Sequence, residues 1–230
     1  EGLVRGAAER AGYREIRTPI FEHTELFERG VGEATDIVEK EMYTFTDRGD
    51  RSITLRPEGT APVVRAYVER GFASKPQPAK LYYLGPMFRY ERPQAGRYRQ
   101  FHQFGLEIIG APSPAADAEV ISVPLEVFDS LGIRGVIVNI NSIGCPSCRP
   151  AYRELLRETY RPVLSKLCPS CVSRYDRNPL RLLDCKSEEC RRALPEPPMV
   201  LDILCPECRS HFDEVSRLLD KLNVEYVINP

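Results

Sequence analysis

The order of hydrophobic and polar residues predicts a chain that begins with short elements separated by clear turn signals. A helix-like segment from Leu3 to Ala11 ends at Gly12, a frequent helix stop, and an extended segment then runs to Pro19. Thr24 is a suitable cap for a short helix. The polar, glycine-punctuated residues 30–40 predict a loop outside the core.

Two pairs of strands are predicted in the segment that follows. Residues 41–46 and 52–55 read as a hairpin, and Pro57 suits the first turn of a helix that runs to about Arg70. Residues 80–90 and 97–110 predict two long strands joined by a basic loop. Strand-rich and helical segments of this kind indicate an α+β fold in which helices flank an antiparallel sheet.

The rest of the chain is mainly helical and carries all the cysteines. The predicted elements are helix 115–131, strand 135–140, helix 151–167, a mixed segment 172–200, helix 210–222 and strand 224–228. We therefore expect a core domain over residues 1–144, a Cys-rich helical insertion over 145–208, and a helix and strand over 209–230 that return to the core sheet.

Composition supports a globular protein. Hydrophobic residues make up 42% of the 230 and charged residues 28%. The longest apolar stretches, such as residues 120–127, are far shorter than the roughly 20 residues that cross a bilayer. The first residues lack both Met and an apolar export signal, so we expect an internal cut through a longer cytoplasmic chain with no membrane partner.

The predicted long strands carry charges on one face. Alternate strand residues share a face, so one side of the second strand holds a polar set and the other holds apolar residues that face the core. His102 lies on the core face, and we expect it to be buried and structural. Arg89 and Glu91 share a face of the preceding strand. Taken singly, each charge is more typical of a solvated sheet face than of a binding site. The polar set is Arg97, Arg99, Phe101, Gln103, Gly105 and Glu107.

Taken together, these segments resemble a known family. Residues 85–93 and 96–105 are similar to motif 2 of class II aminoacyl-tRNA synthetases, about residues 80–110, in the form seen in the histidyl-tRNA synthetase family. Residues 12–19 resemble the end of motif 1, about 8–19, and residues 55–60 resemble a substrate-binding segment of the same family. The resemblance implies a homodimer formed through motif 1, and histidine, ATP with Mg²⁺, and tRNA(His) as partners.

The resemblance also implies roles for individual residues in ATP-dependent formation of histidyl-adenylate. Arg89 would be catalytic, bridging the histidine carboxylate and the ATP α-phosphate, and Glu91 and Arg97 would complete the ATP-binding set. Fixed arginine charge suits this reaction because two anions meet. The implied histidine-binding residues are Glu58, Thr60, Arg89, Gln103 and Glu107.

Two other functions share some of these features. A synthetase-like regulatory subunit of ATP phosphoribosyltransferase would have the same fold, although it has no need of arginines at the ATP. A zinc module that binds RNA or protein is the second alternative, because basic residues recur near helical spacing between Arg149 and Lys166. The family's motif 3 and anticodon-binding domain are absent from this sequence, so we expect little activity from the chain alone.

The eight cysteines predict structural zinc. Three of the four pairs have the CxxC spacing that directs two thiolates at one tetrahedral ion, and a chain without an export signal favours metal over disulfides. A redox role for the CxxC pairs is the alternative. A straight helix over 151–167 would hold the first two pairs about 25 Å apart. If that helix packs antiparallel on helix 210–222, its end brings Cys168 and Cys171 to Cys205 and Cys208 at the start of the other helix. We therefore predict these four as one Cys₄ site, and Cys145 and Cys148 with Cys185 and Cys190 as the other.

Overall fold

The computed structural model describes residues 1–31, 35, 37–92 and 94–229. It divides into two compact units, Glu1–Arg134 and Gly135–Pro230. The predicted boundary after residue 144 therefore lies later than the observed one, because the strand that precedes it pairs within the second unit.

The first unit contains four helices and six strands among its described residues. A π-helical turn, Ile37–Glu41, and a 3₁₀ turn, Phe72–Ser74, lie between them. In chain order the elements are α1 (Gly2–Arg10), β1 (Arg14–Glu15), β2 (Phe21–His23), α2 (Thr24–Val31), β3 (Tyr43–Thr46), β4 (Ser52–Leu55), α3 (Thr60–Glu69), β5 (Ala79–Phe88), β6 (Gln100–Ile109) and α4 (Pro114–Ser130).

These strands form two three-stranded sheets, ordered β1-β5-β6 and β2-β4-β3. Strands β5 and β6 pair antiparallel over their full length, from Ala79↔Ile109 to Phe88↔Gln100. The hairpin predicted from residues 41–55 is present as β3 and β4, whereas β1 pairs parallel to β5. The predicted α+β class, with antiparallel strands flanked by helices, is confirmed.

The alternation of β5 divides the core of this unit into two clusters. Tyr82 packs with Tyr13 and Val123 on one face, while Leu81 and Met87 pack on the other. Successive strand residues point to opposite faces, which is why both faces of β5 are apolar and covered. Burial of each large apolar side chain contributes about 1.5–3 kcal/mol.

One helix begins later than its sequence predicts. Pro57 was expected in the first turn, but α3 starts at Thr60. The Glu58 carboxylate accepts the backbone N–H groups of Thr60 at 2.6 Å and Ala61 at 2.9 Å. These bonds satisfy two of the free donors at the helix start, so the helix begins after Glu58.

The second unit is mainly helical. Its 3₁₀ segments are Arg161–Lys166, Pro179–Leu182 and Val200–Ile203. The regular elements are β7 (Val138–Ile140), α5 (Cys148–Tyr160), α6 (Pro169–Arg177), α7 (Glu188–Ala193), α8 (Pro206–Lys221) and β8 (Tyr226–Ile228). A core of Tyr152, Leu156, Tyr160 and Leu182 packs around three of the cysteines.

Two expectations about this unit are corrected. Helix α5 ends at Tyr160 and passes into a 3₁₀ segment that holds Pro162, so no straight helix reaches residue 167. The last strand, β8, pairs parallel with β7, and residues 209–230 belong to the second unit. Within the described residues, no helix has both the length and the apolar character needed to cross a membrane.

Candidate functional site

One face of the β5–β6 pair carries the polar residues singled out in the sequence. The cross-strand pairs Gly85↔Gln103 and Leu81↔Glu107 place both polar side chains on that face, with Gly105 between them. The Gln103 Oε1 atom is buried and has no hydrogen-bond partner among the described residues. A buried acceptor without a partner is costly, so this atom is suited to receive a donor from a ligand.

Tyr83 fills the middle of this face. It lies opposite Gly105, and a Cβ atom added there would stand 2.1 Å from the Tyr83 ring. A Cβ at Gly59 would stand 2.2 Å from the same ring. Burial raises the pKa of Tyr83 to about 12. The two glycines therefore provide the space that this tyrosine occupies.

Tyr83 was not among the residues predicted for this site, although the sequence carries a signal for it. Counting back from Arg89 in steps of two reaches Met87, Gly85 and Tyr83, so the period of the strand alone places Tyr83 on this face. The contact with Gly59 was not visible, because it depends on how the start of α3 packs on β5.

Glu107 lies beside the start of α3. The Thr60 hydroxyl donates a 2.7 Å hydrogen bond to Glu107 Oε1. Burial raises the pKa of the Glu107 carboxyl, the Thr60 bond partly opposes this, and the nearby charge of Glu58 adds to it. The structure thus brings three of the predicted histidine-binding residues together at one helix start.

Arg89 follows β5 and reaches back to the same region. Its backbone N–H donates to the Arg99 carbonyl at 2.9 Å, and its Nε donates to the Pro57 carbonyl at 2.9 Å. Its guanidinium lies 5.2 Å from the centre of the Phe101 ring. With Nε engaged, the two terminal nitrogens are left for an anion.

Glu91 and Arg97 lie in the loop between β5 and β6. Arg97 Nη1 and Glu91 Oε2 are 3.3 Å apart, and the Arg97 side chain is exposed. Arg99 stacks at 4.4 Å from the Tyr90 ring centre. Strand β6 begins only at Gln100, so Arg97 and Arg99 do not continue the strand face as the sequence predicted.

Two further side chains differ from expectation. His102 was expected to be buried, but it is exposed near the start of β6. Arg56, which was not predicted as a site residue, is buried on the same strand face, where a Cβ at Gly85 would stand 2.6 Å from its Nη2 atom. It donates to the Pro86 carbonyl at 2.9 Å and the Thr18 carbonyl at 3.0 Å. Desolvation lowers the pKa of Arg56.

The eight thiols of the second unit form two quartets whose membership differs from the prediction. In each, the four sulfur atoms lie within 4.8 Å of one another. All eight cysteines are free of disulfides. We call Cys145, Cys148, Cys205 and Cys208 the neck quartet, and Cys168, Cys171, Cys185 and Cys190 the core quartet.

The predicted pairing was wrong because it assumed that the end of the first helix meets the start of the last. The structure brings together the cysteines at the starts of α5 and α8. Helix α5 stops at Tyr160, and the 3₁₀ segment that follows it turns the chain so that Cys168 lies beside Cys190. There the Cys168 N–H donates to the Cys190 sulfur at 3.1 Å.

The sulfur spacing in the neck quartet suits a tetrahedral ion. Cys145 Sγ lies 3.6 Å from Cys148 Sγ and 3.9 Å from Cys205 Sγ. Thiolates bound to zinc at 2.3 Å would be about 3.8 Å apart. Backbone N–H groups, that of Cys148 first, lower the pKa of the Cys145 thiol to about 6. The Cys208 backbone N–H acts in the same direction on Cys205, but the neighbouring Glu207 and Cys208 side chains raise the pKa of this thiol to about 12, a repulsion that a bound cation would offset.

The sequence profile of the family described as Histidyl-tRNA synthetase matches residues 2–147. A histidine–tRNA ligase of Desulforamulus reducens is 62% identical over 229 residues, which cover 100% of this chain and 55% of that protein. One from Desulforudis audaxviator is 59% identical over 230 residues, with 100% and 55% covered. The chain spans about half the length of these relatives.

Solved structures agree with these matches. The apo histidyl-tRNA synthetase of S. aureus is 40% identical, has a TM-score of 0.77, and is matched over 100% of this chain and 51% of its own. An ATP phosphoribosyltransferase regulatory subunit/histidyl-tRNA synthetase from Bacillus halodurans is 21% identical with a TM-score of 0.61, covering 96% of this chain and 59% of its own. The second likeness shows a shared fold alone.

Proposed function

This chain belongs to the histidyl-tRNA synthetase family, and from that premise we propose that the full-length protein activates histidine with ATP and transfers it to tRNA(His). The observation that carries the proposal is the meeting of Thr60 with Glu107 at the start of α3, on the same strand face as Gln103. This arrangement offers a carboxylate, a hydroxyl and an unpartnered amide oxygen to a small polar ligand.

Histidine is suited to this group of acceptors. The Glu107 carboxylate accepts an imidazole N–H, and its partial burial, which raises the pKa of this carboxyl, strengthens that bond relative to one in open solvent. Glu58 spends one lone pair of each oxygen on the backbone of α3, which leaves acceptor capacity for the histidine amino group. Gln103 Oε1 accepts a further N–H.

Arg89 acts at the reacting atoms. One oxygen of the histidine carboxylate forms a bond to the α-phosphorus of ATP, the bond from that phosphorus to the bridging oxygen breaks, and pyrophosphate leaves with the electron pair. The free Nη atoms of Arg89 offset the repulsion between the carboxylate and the phosphate, while its Nε stays fixed on the Pro57 carbonyl. Mg²⁺ bound with ATP would neutralise charge on the phosphates.

The loop between β5 and β6 completes the ATP-binding set of this proposal. The exposed guanidinium of Arg97 is free to move from Glu91 to a phosphate, because an exposed ion pair contributes only about 0–1 kcal/mol. We assign the carboxylate of Glu91 to the adenosine end of ATP. Homodimer formation through the motif 1 segment and a cytoplasmic location belong to the same proposal.

The proposed function also includes zinc bound at the two cysteine quartets. Four thiolates at tetrahedral spacing fill the coordination sphere of zinc and leave no position for a substrate, so both ions would be structural. The ions would hold the Cys-rich helices in place and take no part in the chemistry.

The decisive experiment is histidine-dependent exchange between ATP and pyrophosphate by the full-length protein. We expect exchange in the wild type, a loss of about 100-fold or more in Arg89→Ala, and a rise in the KM for histidine in Glu107→Gln. Glu126→Gln, at an exposed pair with Arg10, is the matched control. Histidine binding without exchange in the wild type would overturn the proposal and favour a regulatory subunit.

A further inference from the structure

The neck quartet lies where the chain enters and leaves the Cys-rich module, which we define as residues 149–204. Cys145 and Cys148 precede this module, while Cys205 and Cys208 follow it, and Cys148 is 57 positions from Cys205. The Cys205 N–H donates to the Cys148 sulfur at 3.2 Å. An ion in this quartet would therefore close the ends of a long loop.

The core quartet lies inside the module. Cys171, Cys185 and Cys190 are buried among the aromatic and aliphatic side chains of the module's core. The loops that this quartet closes are shorter, with 22 positions between Cys168 and Cys190. Without an ion, only apolar packing around these three thiols would hold together the turns that carry them.

Contacts inside the module also join its first helix to its end: the Tyr152 hydroxyl donates to the Pro198 carbonyl at 2.9 Å, and Val200 packs in the same core as Tyr152. The segments outside the module are held together by less. Strands β7 and β8 form three cross-strand pairs, Val138↔Tyr226, Asn139↔Val227 and Ile140↔Ile228. A pair of strands this short is marginal by itself. Gly144 adds a close approach, because a Cβ on this residue would lie 2.7 Å from Cys148 Cβ.

We infer that the two metal ions have separate tasks: the ion in the core quartet holds the fold of the module, and the ion in the neck quartet is an exchangeable clasp. The inference rests on the proposed binding of zinc. Loss of the clasp frees the segments that flank the module without unfolding it, because Tyr152, Leu156 and Leu182 pack around the other quartet.

Exposure decides which ion exchanges. A chelator or a competing thiol removes zinc by approaching the ion through solvent. In the neck quartet three sulfur-bearing residues, Cys145, Cys205 and Cys208, are partly exposed, whereas in the core quartet only Cys168 is. The neck ion is therefore reached first.

The test uses the 230-residue chain loaded with zinc and two double variants, Cys145→Ser/Cys205→Ser for the neck and Cys171→Ser/Cys190→Ser for the core. Bound zinc is measured by mass spectrometry, and amide hydrogen exchange is followed segment by segment. We expect two zinc ions in the wild type. The neck variant should keep one ion and the protection of residues 152–200, while exchange at 138–148 and 204–209 rises about tenfold or more.

The core variant should lose protection across residues 152–200. Ser147→Ala and Ser170→Ala, within the two CPSC turns, are matched controls that leave every thiol in place. A neck variant that loses protection throughout the module, or a core variant that keeps it, would overturn the division of tasks. Two zinc ions bound to the wild type would still support the proposed zinc binding. A wild-type chain that binds no zinc would overturn both the proposed zinc binding and the division of tasks between the two ions.

A kinetic measurement separates the ions in the unmodified chain. Transfer of zinc to a coloured chelator should show two phases of one ion each, with rates that differ about tenfold or more. Only the slow phase should remain in the neck variant. Two ions that leave together, or a fast phase that persists in the neck variant, would contradict the inference.

Discussion

Replacement of Gly105 by alanine tests the packing beneath the proposed histidine site. The added methyl would stand 2.1 Å from Tyr83 Cζ and 2.3 Å from its hydroxyl oxygen. Gly105 does not have a left-handed backbone, so the effect is steric and not conformational. The ring has little room to retreat, since Gly59 closes its other side and Tyr83 is buried.

The expected cost follows from overpacking. An extra carbon in a filled site destabilises by about 1–3 kcal/mol. Because each 1.4 kcal/mol corresponds to a factor of ten, local opening of the β5–β6 pair should become about 5- to 150-fold more frequent. The change is confined to the first unit, since both strands belong to it.

Hydrogen exchange measured by mass spectrometry reports this opening directly. Peptides from Ala79–Phe88 and Gln100–Ile109 should exchange faster in Gly105→Ala, while peptides from the second unit serve as an internal reference. Gly2→Ala is the control for an added methyl, because no atom lies within 4 Å of the new carbon. That variant should leave both strands unchanged.

A double-mutant cycle identifies Tyr83 as the cause. Tyr83→Ala removes the ring and is itself destabilising by about 3–5 kcal/mol, but Gly105→Ala in this background should add almost nothing. The reasoning is refuted if Gly105→Ala changes exchange by less than about twofold, or if its effect is the same with and without Tyr83.

Three further outcomes are expected. Burial should place the pKa of the Glu107 carboxyl above its ordinary value of 4.5, a shift that NMR titration of this carboxyl measures. The folded protein then loses stability as pH rises through the folded pKa, and Glu107→Gln should remove this pH-dependent loss. Thr60→Val should raise the pKa further, because it removes the hydrogen bond to the carboxylate. Arg56→Lys should lower urea stability by about 1.5–3 kcal/mol because lysine cannot span both carbonyls, whereas the exposed Arg48→Lys should be neutral. Chelation should increase hydrogen exchange in residues 149–204 and leave β5 and β6 protected, an expectation that equal loss in both units would contradict.

Local patterns predicted many elements of this protein correctly. The stop at Gly12 follows α1, and the hairpin of β3 and β4 lies where turn residues separate two strand-like runs. The alternation of residues 101–109 placed Gln103, Gly105 and Glu107 on one face, because a strand has a period of two whatever surrounds it. Such signals depend on a few neighbouring residues, so a sequence can carry them.

Contacts between distant segments escaped the sequence analysis. Nothing near Tyr83 shows that Gly59 leaves space for its ring, and nothing near Arg56 shows that its partners are carbonyls of Thr18 and Pro86. The exposure of His102 also depends on what covers the start of β6. Each of these follows from packing between segments that are far apart in the chain.

The cysteines show most clearly which features local sequence determines and which depend on tertiary structure. Sequence alone determined that eight thiols fall in one region in four pairs, because close spacing brings two sulfurs together locally. Tertiary structure alone decided which pairs meet. A helix that ends at Tyr160 instead of residue 167 redirects the chain, so Cys168 reaches Cys190 while the starts of α5 and α8 bring Cys148 to Cys205. The end of one helix next to Pro162, and the packing of the segments that follow it, determined the membership of both quartets.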